Sequence, residues 1–181
     1  MLKDYFLKRK INKALQKEKS PHTTLNYDDV RKVGVLIYLP KKEQHKYINK
    51  FVSDLKGEGK EVVALACFDN KAPEEAFNFR FHYLSPEHVS FWGNITSENA
   101  LSFAETSFDY LFCITADPDM MGVQYVLAHS KAKCRVGIYQ KGMTNFYELM
   151  VALKEGESIE KGIKDMRHYT KAINKNEYEM A

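Results

Sequence analysis

Short, almost wholly apolar runs, separated by stretches of helical periodicity, recur along this chain. The runs are Val33-Gly-Val-Leu-Ile-Tyr-Leu39, Glu61-Val-Val-Ala-Leu-Ala-Cys-Phe68, Phe108-Asp-Tyr-Leu-Phe-Cys-Ile-Thr115 and Cys134-Arg-Val-Gly-Ile-Tyr139. A strand with one wet face alternates apolar and polar residues. A run that is apolar at successive positions is covered on both faces, as strands of a parallel sheet are. The intervening segments supply the covers. Residues 41–56 place Tyr47, Ile48, Phe51, Val52 and Leu55 on one helical face and stop at Gly57-Glu-Gly59. Ser97 caps a helix running to about Ser107. Asp117 at N-cap and Pro118 at the first helical position start another, reaching Lys131. Helices over 144–154 and 157–174 close the chain, the second amphipathic through Ile159, Ile163, Met166, Tyr169 and Ile173. The expected class is α/β: an open, mostly parallel Rossmann-like or flavodoxin-like sheet with helices on both faces. Residues 69–96 are less regular. Phe77, Phe79, Phe81 and Tyr83 alternate as in a short strand, and Val89–Gly93 reads as a second extended piece.

A basic amphipathic helix precedes this pattern. Residues 1–19 hold Lys3, Lys8, Arg9, Lys10, Lys13, Lys17 and Lys19 against Asp4 and Glu18, a local charge of +5 in a chain of net +3, which leaves −2 for the rest. Leu2, Tyr5, Phe6, Ile11 and Leu15 form its apolar stripe, and it ends before Ser20-Pro21. The organisation read from this is an arm and connector over 1–28 followed by one α/β domain over 29–181. Such a helix packs on its own domain or on a second copy, or it binds an anionic membrane surface. Nucleic acid is a weaker partner for it, because the mildly acidic remainder supplies no basic face.

Hydrophobic residues at 44% and charged residues at 28% suffice for a sizeable core. Cys67, Cys113 and Cys134 each fall within a strand-like run and have no zinc or redox spacing, so buried thiols are expected. Their odd number argues against a secreted disulfide scaffold, and no apolar run approaches the ~20 residues of a membrane span. With no targeting segment visible, the expected setting is a reducing cytoplasm.

Ser130-Lys-Ala-Lys-Cys-Arg-Val-Gly137, after a strand shaped like Phe108-Asp-Tyr-Leu-Phe, resembles an uncharacterised family of small bacterial α/β proteins. That family also begins with a basic helical arm and carries an element like Phe91-Trp92-Gly93. The resemblance implies the fold and a bacterial cytoplasm. It supplies no activity and no catalytic residues.

What the chain lacks narrows its chemistry. Leu39 leads into Pro40-Lys41-Lys42 rather than a glycine-rich turn, and no Walker-type phosphate loop occurs, so a nucleotide held in a backbone cradle is not expected. His-Glu-x-x-His and Gly-x-Ser-x-Gly are also missing, and the six histidines have no metal-ligand spacing. No cofactor and no metal is expected.

Open α/β sheets bind ligands beyond the carboxyl ends of their strands. That rule nominates Lys41 and Lys42 after the first strand, Asp69 after the second, and Thr115, Asp117 and Asp119 after the 108–115 strand. Asp117 and Asp119 are a pair suited to a cation or a substrate hydroxyl, although helix capping is the plainer role for both. Lys41 and Lys42 lie where an anion could meet a helix N-terminus, although lysines at an exposed helix start are commonplace. The reading that follows is a non-catalytic interaction module docking through its basic arm. The alternative is a small-molecule or nucleotide-binding enzyme with an atypical site at the strand ends.

Overall fold

The computed structural model describes residues 2–17, 25–38, 40–70, 82–115, 117 and 119–173. Six strands are present among them: β1 (Lys32–Tyr38), β2 (Glu61–Cys67), β3 (His82–Leu84), β4 (Tyr110–Thr115), β5 (Cys134–Ile138) and β6 (Leu149–Val151). All pair in parallel, in the order β3-β2-β1-β4-β5-β6. This is the strand order of Rossmann-type doubly wound sheets rather than the flavodoxin order. The central register aligns Tyr38 with Thr115 at the carboxyl ends of β1 and β4.

The helices are α1 (Leu2–Gln16), α2 (His45–Gly57), α3 (Glu98–Glu105), α4 (Met121–His129) and α5 (Ile159–Ala172). Because strand side chains alternate between faces, the apolar runs divide into two cores. Val33, Val35, Ile37, Tyr110, Phe112 and Ile114 meet α2 and α5. Leu36, Leu65, Leu111 and Cys113 meet α1, α3 and α4 on the other face. The amphipathic N-terminal helix is thus a layer of the fold. Leu7 and Ile11 are buried, and α1 packs against α4.

The segment 144–154 is not a helix: a single 3-10 turn (Thr144–Phe146) leads into β6. The outer edge of β5 takes it up as a strand. Tyr147 lies over Gly137, where a Cβ would come within 2.5 Å of the ring. Glu148 accepts from the Arg135 amide at 2.6 Å and from its Nε at 3.0 Å, and it pairs with Arg135 Nη2.

Helix α4 starts at Met121 with Met120 at N-cap, so Asp117 does not cap it. Thr115 Oγ1 donates to the Asp117 carbonyl at 2.8 Å and accepts from the Asp117 amide at 3.1 Å. Asp117 Oδ1 accepts from the Asp119 amide at 2.8 Å. Local side-chain bonds of this kind compete with helical ones and hold the chain in a turn, which also leaves Asp119 outside the first helical turn.

Val89–Gly93 is not a strand. A lone antiparallel bridge, Val89 to Ile95, closes a turn over Ser90–Asn94. The expected helix stop at Ser20-Pro21, the alternating residues Phe77–Phe81 and the placement of Pro118 fall outside the described residues.

Candidate functional site

The sheet order reverses between β1 and β4, and the crevice beyond their carboxyl ends is where such a fold leaves room for a ligand. A cleft of about 310 Å³ opens there. Its floor holds Tyr38 from the end of β1, Phe68 after β2 and Leu84 from the end of β3. Val89, Met120 and Met121 form apolar walls, and α1 closes one side with Lys3, Asp4 and Leu7. Lys3 is fixed there, its Nζ donating to the Pro86 carbonyl at 2.5 Å.

Asp69, Asp117 and Asp119 all line this cleft. The buried Tyr38 hydroxyl donates to Asp69 Oδ2 at 3.1 Å. Burial raises the Tyr38 phenol above its ordinary range, and the Asp69 bond and the Asp69 and Asp117 charges add to that. The phenol is therefore a neutral donor across the physiological range. Thr115 is buried beneath the rim and shapes the Asp117 turn rather than facing the cleft. Lys41 is exposed and does not line the cleft. Lys42 begins a 3-10 turn, and α2 itself starts only at His45.

Lys3, Asp4, Tyr38 and Ser85 are lining residues that sequence reasoning missed. Tyr38 was legible as the last residue of the first strand. Lys3 and Asp4 were not, since nothing local ties the arm to the strand ends. Ser85 Oγ lies 3.0 Å from His88 Nδ1 and 3.1 Å from Glu87 Oε1, a grouping that superficially suggests an activated serine. The same His88 nitrogen already accepts from the Ser85 amide at 3.2 Å. This reciprocal pattern is a capping box on the 3-10 turn Pro86–His88, and Ser85 is 2% exposed. It does not position a nucleophile.

Among the described residues lining this cleft, Asp69, Asp117 and Asp119 are carboxylates without a lysine or arginine partner, Asp4 adds a fourth carboxylate and Lys3 is the one lysine. The local field therefore favours amines and hydroxyl-rich molecules and opposes phosphates. No group of three or more His, Cys, Asp or Glu suited to a metal ion occurs among the described residues.

A second surface adjoins the cleft, where the 90–94 turn meets α1. Gly93 adopts φ +69°, and a Cβ there would stand 2.5 Å from the Leu7 amide nitrogen. Only glycine fits both the left-handed conformation and this approach. The Phe6 and Trp92 rings meet at 5.4 Å, and Lys10 bonds Asn94. This docking presents Phe91 and Trp92, 57% and 62% exposed, and links them through the Phe6 ring to Tyr5, 62% exposed; Leu2, 60% exposed, lies one turn earlier on the helix.

The fold and sites define an open doubly wound α/β protein with an acid-rimmed cleft at its switch point and an aromatic, basic helix face beside it. The chain belongs to the family of unknown function DUF6913, whose model matches residues 3–173. That agrees with the resemblance seen in the sequence. No curated protein and no solved structure matches it.

Proposed function

We propose that this protein is a non-catalytic interaction module that docks through the face built by α1 and the 90–94 turn. The observation that carries the reading is the exposed ring set Tyr5, Phe91 and Trp92, linked through Phe6, with exposed Leu2 one helical turn from Tyr5 and Phe6. Large apolar side chains grouped on a surface mark interaction sites, whereas scattered ones do not. The set is held in place by Gly93 against the α1 backbone, so little ordering entropy remains to be lost on docking. Lys8, Arg9 and Lys13, around a shallow groove shared with Tyr5, make the face attractive to an anionic partner.

A cytoplasmic setting belongs to the same proposal. Its support is three free, buried thiols. Burial raises all three, Cys113 and Cys134 to about 12, which leaves them unreactive near neutral pH. No helix among the described residues is long and apolar enough to cross a membrane.

The test is a photo-reactive residue placed at position 91 in living cells, with the same probe at exposed Glu155 as control. The reading expects a crosslink at 91 that 155 does not give and that Lys8→Glu/Arg9→Glu/Lys13→Glu abolishes. Equal labelling at both positions contradicts it.

A second reading has its own observation, the cleft at the strand ends. The arrangement of Tyr38, Asp69, Asp117 and Asp119 supports a small ligand bearing an amine or several hydroxyls, bound or turned over there. The excess of carboxylates makes a nucleotide the less favoured ligand. Thermal-shift screening against polyols, polyamines and nucleotides tests it. A bound ligand at ~100 times its dissociation constant stabilises by about 2.7 kcal/mol, and a flat response to all three classes contradicts it.

A further inference from the structure

We infer that the α1 and 90–94 face seats the protein on an anionic lipid surface. The inference rests on the docking reading above and gives it a partner.

The composition of the face argues for a bilayer. Trp92 and Tyr5 are amphipathic rings suited to the headgroup level, and Phe91 and Leu2 are purely apolar. Lys8, Arg9 and Lys13 are exposed on the same helix. Residues 2–17 carry six lysines and arginines against Asp4 alone. A helix lying in the plane of a membrane has this pattern, with apolar groups reaching below the headgroups and basic ones among the phosphates. Here part of the apolar reach comes from a second segment, the turn carrying Phe91 and Trp92.

Other occupants fit less well. A two-fold dimer through this face would bring one basic α1 against another. Stacking successive bases is best served by rings presented as parallel platforms, whereas Phe91 and Trp92 stand edge to face at 86° and Phe6 and Trp92 are tilted at 59°. Leu2 has no part in stacking. Lys3 and Lys10 are tied to Pro86 and Asn94, so they brace the turn while Lys8, Arg9 and Lys13 face outward.

Trp92 is the single tryptophan of the chain and reports on the face directly. The full-length protein is mixed with vesicles of equal phosphatidylglycerol and phosphatidylcholine, and with phosphatidylcholine alone. The expected result is a blue shift of Trp92 emission and quenching by brominated acyl chains on the anionic vesicles. Binding should exceed that to neutral vesicles by more than about tenfold and weaken with salt. Lys8→Glu/Arg9→Glu/Lys13→Glu should abolish it with the circular dichroism unchanged. Phe91→Ser, which keeps the reporter, should weaken it severalfold.

A folded protein whose Trp92 spectrum ignores anionic vesicles at low salt overturns the inference. If polyglutamate or a single-stranded oligonucleotide shifts Trp92 while vesicles do not, the lipid assignment fails and the docking reading stands. If none of these shifts Trp92 and position 91 crosslinks no more than position 155, both fall.

Discussion

The two ends of the sheet handle charge in opposite ways. At the amino end Asp109, Glu58 and Glu148 each have a cationic partner. Asp109 accepts from the Arg31 and Lys32 amides at 2.8 and 2.9 Å and from Lys133 Nζ at 2.8 Å. Burial alone would raise its carboxyl, but these bonds outweigh it and hold it below the ordinary carboxylate range. Glu58 accepts from the Tyr27 hydroxyl and Lys171 Nζ, each at 2.6 Å, and pairs with Arg167. Arg135, 1% exposed, donates to the Leu127 carbonyl at 2.9 Å and to Glu148.

At the carboxyl end, Asp69, Asp117 and Asp119 are exposed at the cleft, and none pairs with a lysine or arginine among the described residues. Charges neutralised by built partners hold a fold together. Charges gathered without them cost stability through mutual repulsion and are the ones a ligand can use.

The largest effect is expected at Arg135. Glu148→Ala leaves a buried guanidinium without its carboxylate and should cost about 3–5 kcal/mol, read from chemical denaturation. A cost under about 1 kcal/mol would mean that the amino end is not held by these pairs.

Gly93→Ala should come next, at about 2–3 kcal/mol, because it adds both left-handed strain and a clash with the α1 backbone. Faster proteolysis within α1 should accompany it.

A smaller effect is expected from acid. Burial opposes ionisation of Glu58, but hydrogen bonds from Lys171, Tyr27 and Arg167 win and bring its carboxyl down to about 2. A depressed carboxyl contributes stability that is full above the unfolded value and is lost as pH falls through the folded one. Between roughly pH 4.5 and 2, Glu58→Gln should therefore lose less stability than the wild type, a difference of about 1–2 kcal/mol.

The smallest effect should come from the cleft. Asp69→Asn, Asp117→Asn and Asp119→Asn should each move stability by no more than about 0.5 kcal/mol in either direction. A loss of several kcal/mol at any of them would make that carboxylate structural.

The same contrast explains what was legible in the sequence. The runs that became β1, β2, β4 and β5 are apolar at consecutive positions because each is covered twice, and that signal is local. The short β6 is different. Phe146, Tyr147, Leu149, Met150 and Val151 fit a helical face as well as a strand, and the decision lies with distant partners: Gly137 under the Tyr147 ring and Arg135 beside Glu148.

The site was half legible for the same reason. The rule that strand ends bind ligands found Asp69, Asp117 and Asp119 from loop position alone. The capping preference, by contrast, misplaced Asp117 at the helix N-cap, because Thr115 draws that residue into a turn of its own. Lys3 and Asp4 reach the cleft only through tertiary packing of α1. The display of Phe91 and Trp92 depends on a glycine whose partner, the Phe6–Leu7 backbone, is far away in sequence.

On the function proposed above, the aromatic face of α1 and the 90–94 turn serves docking and not folding. The thermal unfolding midpoint of Tyr5→Ser/Phe91→Ser tests it most directly. With both rings more than half exposed, the expected shift is less than about 2 °C, the size of a surface substitution in a chain of this length. A fall of about 10 °C or more would mean that these rings hold the fold together and that the face is structural.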